Sequence, residues 1–170
     1  EFWFAVIDRK GRATADVLKS LLSESIHKLS WQKSMRWGEG SFRWVRPLQR
    51  VMCVLDGELL AFEIAPGIPC GNVTTGHRFM GPEPFEVGFF DDYKKMLQHK
   101  KVILKVATRR KLIEEKATAL AEADGFSLKR DPGLLAEVSG LVEWPVPLLG
   151  SIDAEFMALP DEVLTTSMRS

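Results

Sequence analysis

Arginines alternate with aromatic residues between Met35 and Met80, and this stretch carries the chemistry of the chain. It reads Met35-Arg36-Trp37-Gly38, then Phe42-Arg43-Trp44-Val45-Arg46-Pro47, and closes with Gly71-Asn72-Val73-Thr74-Thr75-Gly76-His77-Arg78-Phe79-Met80. A guanidinium is a planar fork that grips phosphate oxygens two at a time, and an exposed aromatic ring stacks on an unpaired base. Arg36, Trp37, Arg43, Arg46, Arg50, His77 and Arg78, interleaved with Phe42 and Trp44, are therefore candidates for contact with nucleic acid. The competing use of the same residues is structural, with Trp37 and Trp44 in a core and the arginines bridging loop carbonyls or acidic partners.

Hydrolysis is a second chemistry to weigh, because it needs only a positioned water and a base of suitable pKa. His77 beside Thr74 and Thr75 is the local candidate, but no acid stands at a fixed spacing to orient it. Asp91-Asp92 is better explained as negative charge at a helix N-terminus than as half of an acid-base pair with Glu63. Cys53 and Cys70 lack metal-ligand spacing and read as reduced thiols, and His27, His77 and His99 are scattered. No residue is assigned a catalytic or metal-binding role.

Bulk charge does not select a polyanionic partner, since Lys+Arg and Asp+Glu number 23 each. The signs are nevertheless unevenly spread. Arg36 to Arg50 holds four arginines against one acidic residue, Glu39, while Asp and Glu gather later. At 170 residues, 45% hydrophobic and 27% charged, the chain has the size and composition of one soluble domain. No apolar run reaches membrane-spanning length and no signal-peptide pattern is present, so no membrane contact and a cytoplasmic location are expected. The chain opens without Met on strand-like sequence and stops at Ser167-Met168-Arg169-Ser170 with no closing signal, so it reads as a fragment of a longer polypeptide.

The elements that must position these residues follow from periodicity and punctuation. Phe2 to Ile7 reads as a strand and Asp8 to Arg12 as a turn. A helix capped by Thr14 follows, with Leu18, Leu21, Leu22, Ile26 and Leu29 on one face. Ser30 to Ser41 is loop-like. Pro47 suits the first position of a short helix, Leu48 to Leu55, ended by Asp56-Gly57. Strands are expected over Glu58 to Ile64 and over Phe85 to Phe89, and a strand or extended loop over Gly71 to Met80 with a bend at Gly76. Asp91 caps a helix to about Gln98. A longer helix spans roughly Ile103 to Asp124, with Val106, Ala107, Ile113, Ala117, Leu120 and Ala121 as its buried stripe and Gly125 as its stop. Arg110 lies in line with that stripe, either snorkelling from the core edge or held for an acidic group or phosphate. Phe126 to Leu128 reads as a strand. Asp131-Pro132 starts a helix bearing Leu134, Leu135, Val138, Leu141 and Val142, and Trp144-Pro145 ends it. Val146 to Ile152 reads as a buried strand, Asp153 to Phe156 as a short helical turn, and Pro160 as the start of a last helix. Strands and helices mix without regular alternation and no glycine-rich phosphate loop follows a strand, so the expected fold class is α+β, a mixed sheet with packed helices.

These motifs together resemble the β subunit of the bacterial heterotetrameric glycyl-tRNA synthetase, near its N-terminus and over essentially all 170 residues. The carriers are Met35 to Gly38, Phe42 to Pro47, Gly76-His77-Arg78-Phe79, Arg109-Arg110, Leu141-Val142-Glu143-Trp144-Pro145 and Leu159-Pro160-Asp161-Glu162-Val163-Leu164. Two positions depart from the family pattern: Thr75 stands where a basic residue is frequent, and Gln49 where a histidine is frequent. The resemblance implies a single domain of a longer β subunit, similar in fold to the editing-type domain of the phenylalanyl-tRNA synthetase β chain, without the HD-type and anticodon-binding domains that follow it. It implies a part of glycine–tRNA ligase that helps bind and position the acceptor arm of glycine tRNA. The α subunit of an α2β2 heterotetramer would hold glycine, ATP and Mg, with no cofactor in this part. Two other roles stay open: a docking domain for the α subunit or the rest of the β chain, to which Glu143-Trp144-Pro145 and Leu159-Pro160 are suited, and a hydrolytic editing domain.

Overall fold

Glycine and proline recur every few residues between Gly38 and Gly88, and no strand there runs beyond four residues. The computed structural model describes residues 2–8 and 10–169. They group into two units, Glu1–Thr74 with Pro84–Tyr93, and Thr75–Glu83 with Lys94–Ser170. The fold is mixed α+β, with short paired strands confined to the first unit and most of the helices in the second.

In the first unit, helix α1 (Thr14–Lys28) lies against strand β6 (Glu63–Ala65). Leu18, Leu22 and Ile26 of its apolar face are half-buried, while Leu21 and Leu29 are largely exposed. Thr14 is its first helical residue; Ala13 holds the cap position and makes no side-chain capping bond. Strands β1 (Met35–Arg36) and β2 (Arg43–Trp44) form an antiparallel hairpin. Strand β7 (Ile68–Gly71) runs parallel to β3 (Val51–Met52) and antiparallel to β6. Strands β8 (Val73–Thr74) and β9 (Phe85–Glu86) make a further antiparallel pair. Leu60, Ile64, Ile68, Cys70, Phe85 and Val87 form the core of this unit. Burial pushes the Cys70 thiol up to about 11, and the adjacent Cys53 pushes the same way, so Cys70 is a protonated, inert thiol at neutral pH.

The helix expected over Leu48 to Leu55 is absent; β3 and β4 (Val54–Leu55) occupy it. Asp56 (φ 51°) and Gly57 (φ 86°) are both left-handed, which folds β4 back onto β5 (Glu58–Leu59) as a two-residue hairpin. Asp-Gly serves equally as a helix stop and as a hairpin turn, and the β-branched Val51 and Val54 favour the hairpin. Phe2 to Ile7, expected as a strand, is exposed and unpaired. A strand needs a neighbour, and none of the described residues supplies one.

The second unit is helical. Helix α2 (Phe90–His99) begins at Phe90 rather than at an Asp91 cap, leaving Asp91 and Asp92 in its first turn; its residues from Lys94 onward belong to this unit. Lys101 (φ 61°) ends it in the left-handed conformation usually taken by glycine, with Val102 N–H bonded to Leu97 O (2.8 Å) and Lys101 N–H to Gln98 O (3.2 Å). Lys101 Nζ lies 4.8 Å from the centroid of the Trp144 ring. That cation-π contact gives a lysine a reason to hold a glycine position. Helix α3 (Val106–Ala123) starts later than expected and stops at Gly125 (φ 78°) as expected. It packs on α4 (Pro132–Leu141), whose Asp131 cap accepts from Leu134 N–H at 2.9 Å. Of the stripe expected on α3 only Ala121 is buried, with Ile113 and Ala117 half-buried, and Leu141 on α4 is exposed. A 3-10 turn (Ala154–Ala158) and α5 (Asp161–Arg169) close the chain. Phe126 to Leu128 and Val146 to Ile152 form no strand. No helix among the described residues is long and apolar enough to cross a membrane.

Residues 103 and 104 stay out of α3 because their main chain is engaged elsewhere, and Lys105 caps the helix, its carbonyl accepting from Thr108 and Arg109 N–H. Ile103 N–H bonds to Glu143 O (2.9 Å), and the Arg109 guanidinium donates to Ile103 O (2.5 Å), Leu104 O (3.0 Å) and Ser139 O (2.8 Å). Arg109 thus ties the start of α3 to the end of α4. Ser139 is the fully buried side chain there, and its hydroxyl donates to Ala136 O (2.9 Å).

Arg109→Ala is expected to lower stability by about 2 kcal/mol, because three carbonyls lose a charged donor. Arg109→Lys should recover only part, since one ammonium cannot span the same acceptors. Urea unfolding of both variants reads this. Asp131 gives a pH signature. The Leu134 N–H, aided by Arg169 (3.4 Å), holds its carboxyl below the ordinary 3.8. A lowered folded-state pKa contributes stability that is complete above the unfolded value and lost as pH falls through the folded one. Between about pH 5 and pH 2, Asp131→Asn should therefore lose less stability than the wild type.

Candidate nucleic-acid interface

Five of the candidate residues lie in the first unit. Arg36 and Arg43 face each other in register across the β1–β2 hairpin, and Trp37 begins its loop, which turns at Gly38 (φ 59°). The rings gather behind it. Phe42 and Trp44 stack (centroids 5.9 Å, planes 19° apart), and Trp37 meets Phe42 edge-on at 5.8 Å. Trp31 meets Trp44 edge-on at 4.9 Å, and His27, at the end of α1, meets Phe42 at 5.2 Å. These geometries suit the ring quadrupoles. Neither tryptophan in the hairpin is fully buried; both remain half-exposed.

This cluster walls an open groove of about 850 Å³, bounded on its other side by the β6–β7 turn, Ala65 to Ile68. Polar groups enter it from Ser34, Glu39, Ser41 and Arg43. The groove's volume lies in the range of small-ligand clefts, and its lining mixes apolar and polar groups. His27, Trp31, Ser34 and Glu39 were outside the candidate set; the spacing of His27 and Trp31 around the end of α1 is the signal that could have included them.

The arginines divide by use. Arg43 is braced: Nε donates to Ser34 Oγ (3.1 Å) and Nη2 to Ser34 O (3.0 Å). Among the described residues Arg46 reaches only the adjacent Val45 O (3.3 Å). Arg36 and Arg50 are exposed, and neither side chain makes a bond among the described residues. Their forks remain available to an external phosphate.

His77 and Arg78 lie in the second unit, in the tight turn Gly76 to Gly81. His77 N–H donates to Lys100 O (2.8 Å), and Gly81 N–H donates to His77 O (2.9 Å). The ring closes the turn, because Nδ1 accepts from Phe79 N–H and Met80 N–H, each at 3.2 Å. A neutral ring that accepts at Nδ1 carries its proton on Nε2. The turn is pressed onto Lys100: a Cβ at Gly81 would lie 2.7 Å from Lys100 O, and one at Gly76 would overlap the Lys100 side chain. Arg78 and Phe79 project outward, with the guanidinium 5.6 Å from the ring centroid and Phe79 81% exposed. Arg110 is exposed at the edge of a separate apolar groove between α3 and α4. No group of three or more His, Cys, Asp or Glu side chains among the described residues is placed to share a metal ion.

His77→Ala should loosen this turn, seen as faster amide exchange at Phe79 and Met80. His77→Asn should restore protection, since an Asn Oδ1 stands where Nδ1 accepts. Exchange in His77→Ala as slow as in the wild type would show that the ring does not hold the turn.

Comparison with known proteins bears on all of this. The family model described as glycyl-tRNA synthetase beta subunit matches residues 1–170. The glycine–tRNA ligase beta subunit of Paracoccus denitrificans is 47% identical over 99% of this chain and 25% of its own length. The proteins of the same name from Rhodospirillum centenum (46% identity, 99% of this chain, 27% of its own length) and Dinoroseobacter shibae (48%, 98% and 24%) are similar. The chain spans about a quarter of the length of these relatives. The resemblance carried by the Met35 to Gly38, Gly76 to Phe79 and Leu141 to Pro145 motifs is borne out, and the chain belongs to the glycyl-tRNA synthetase beta subunit family.

Proposed function

We propose that this chain is the part of a glycine–tRNA ligase β subunit that binds and positions the acceptor arm of glycine tRNA. The observation that carries the reading is the aromatic-walled groove of about 850 Å³ behind a hairpin bearing Arg36, with Arg50 also exposed. Free guanidiniums take phosphates, and half-exposed rings accept an unstacked base at an RNA end. The exposed Arg78–Phe79 pair offers the same combination in the second unit. In this reading the α subunit of an α2β2 assembly carries the aminoacylation site with ATP and Mg. The chain is one domain of a longer β subunit in the cytoplasm, of the editing-type fold found in the phenylalanyl-tRNA synthetase β chain; the α+β content supports that fold. Hydrolytic editing draws no support from His77, whose Nδ1 is committed to two main-chain donors.

The test is Arg36→Glu with Arg50→Glu in the full α–β synthetase. The KM for tRNA should rise about 10-fold or more while kcat at saturating tRNA holds, and the log-log salt slope of binding should fall by about 2. An unchanged KM and slope in a protein of unchanged melting temperature would overturn the reading.

A further inference from the structure

The segment Phe2-Trp3-Phe4-Ala5-Val6-Ile7 has no place in its own unit. Its five large side chains are 74% to 96% exposed, and among the described residues its main chain makes no hydrogen bond. A continuous run of aromatic and branched residues has the composition of a strand covered on both faces, unlike the apolar-polar alternation of a strand with one wet face. Val146, Leu148, Leu149 and Ile152, in the other unit, are a second exposed run of strand-like composition without a ladder.

The total area points the same way. The chain exposes 13762 Å², whereas two separate compact proteins of half its mass would together expose only about 10,000 Å². The excess, roughly 3,500 Å², is on the scale of an obligate interface.

We propose that Phe2 to Ile7 is an interior strand of a sheet whose other strands belong to the polypeptide that the relatives carry beyond the matched quarter of their length. Those relatives match 98–99% of this chain yet are about four times as long, so the covering polypeptide is three quarters of the same subunit. A covalently attached partner is present at high effective concentration and costs little entropy to recruit. A second copy of this chain fits less well. Pairing two identical runs satisfies one edge of each and leaves the aromatic faces bare, whereas a both-face apolar strand needs two neighbours and two covering layers. The proposal rests on family membership and is independent of RNA binding.

Hydrogen exchange in the full-length β subunit, purified without the α subunit, tests it. The amides of residues 2–7 should exchange about 100-fold or more slowly than in a synthetic peptide of the same sequence, at every protein concentration tried. Exchange as fast as in the peptide would overturn the proposal. Protection that disappears on dilution, as light scattering reports a halved mass, would assign the strand to a second copy and also overturn it. Protection that arises only on adding the α subunit would transfer the strand to that partner, with the same consequence.

Discussion

Strands of two to four residues leave most main-chain groups outside any ladder, and at several loops and helix ends of this protein a side chain satisfies them. Buried or half-buried N–H and C=O groups need partners wherever secondary structure does not supply one. Arg43 answers the Ser34 carbonyl, and Glu63 Oε1 accepts from Gly67 N–H at 2.8 Å. His77 Nδ1 takes the Phe79 and Met80 N–H groups, Asp131 takes Leu134 N–H, and Arg109 takes three carbonyls at once. Each of these is a side-chain contact to the main chain of a loop or a helix end. Several family motifs are therefore motifs of loop architecture before they are motifs of chemistry.

That constraint sorts the arginines. A guanidinium offers five donors and never loses its charge, so it is suited both to gathering carbonyls and to gripping phosphate. Arg43 and Arg109 are spent on the first task. Arg36, Arg50 and Arg78 are exposed, and among the described residues their guanidiniums make no hydrogen bond or ion pair. With 23 charges of each sign overall, attraction of an anionic partner has to come from such local groups rather than from the mean field. The groove beside the hairpin adds apolar surface, which phosphate contacts alone do not need but an unstacked base does.

The limited core reflects the same economy. Among the described residues eight hydrophobic side chains are buried, while rings such as Trp3, Phe4 and Phe79 stand in water. Exposed apolar area of this extent favours association, because each aromatic ring removed from water contributes on the order of 2 kcal/mol. The two exposed strand-like runs, Phe2 to Ile7 and Val146 to Ile152, account for a large part of that exposed apolar surface.

The sequence by itself determined the features that depend on near neighbours. Asp131-Pro132 starts α4 and Gly125 stops α3, because a cap, a ring-locked φ and a left-handed glycine act within a few residues. The family was legible too, since the order and spacing of its motifs are properties of the chain alone. The candidate site was legible in part. Trp37, Arg43 and their neighbours do meet at one groove, whereas His27, Trp31 and Glu39 join it only through folding. Tertiary structure decided the rest. It turned Leu48 to Leu55 into two strands, left Phe2 to Ile7 and Val146 to Ile152 unpaired, set Arg43 to bracing, and made His77 a turn cap. In each case the outcome depends on which distant main-chain group lies within hydrogen-bonding reach, and local spacing carries no record of that.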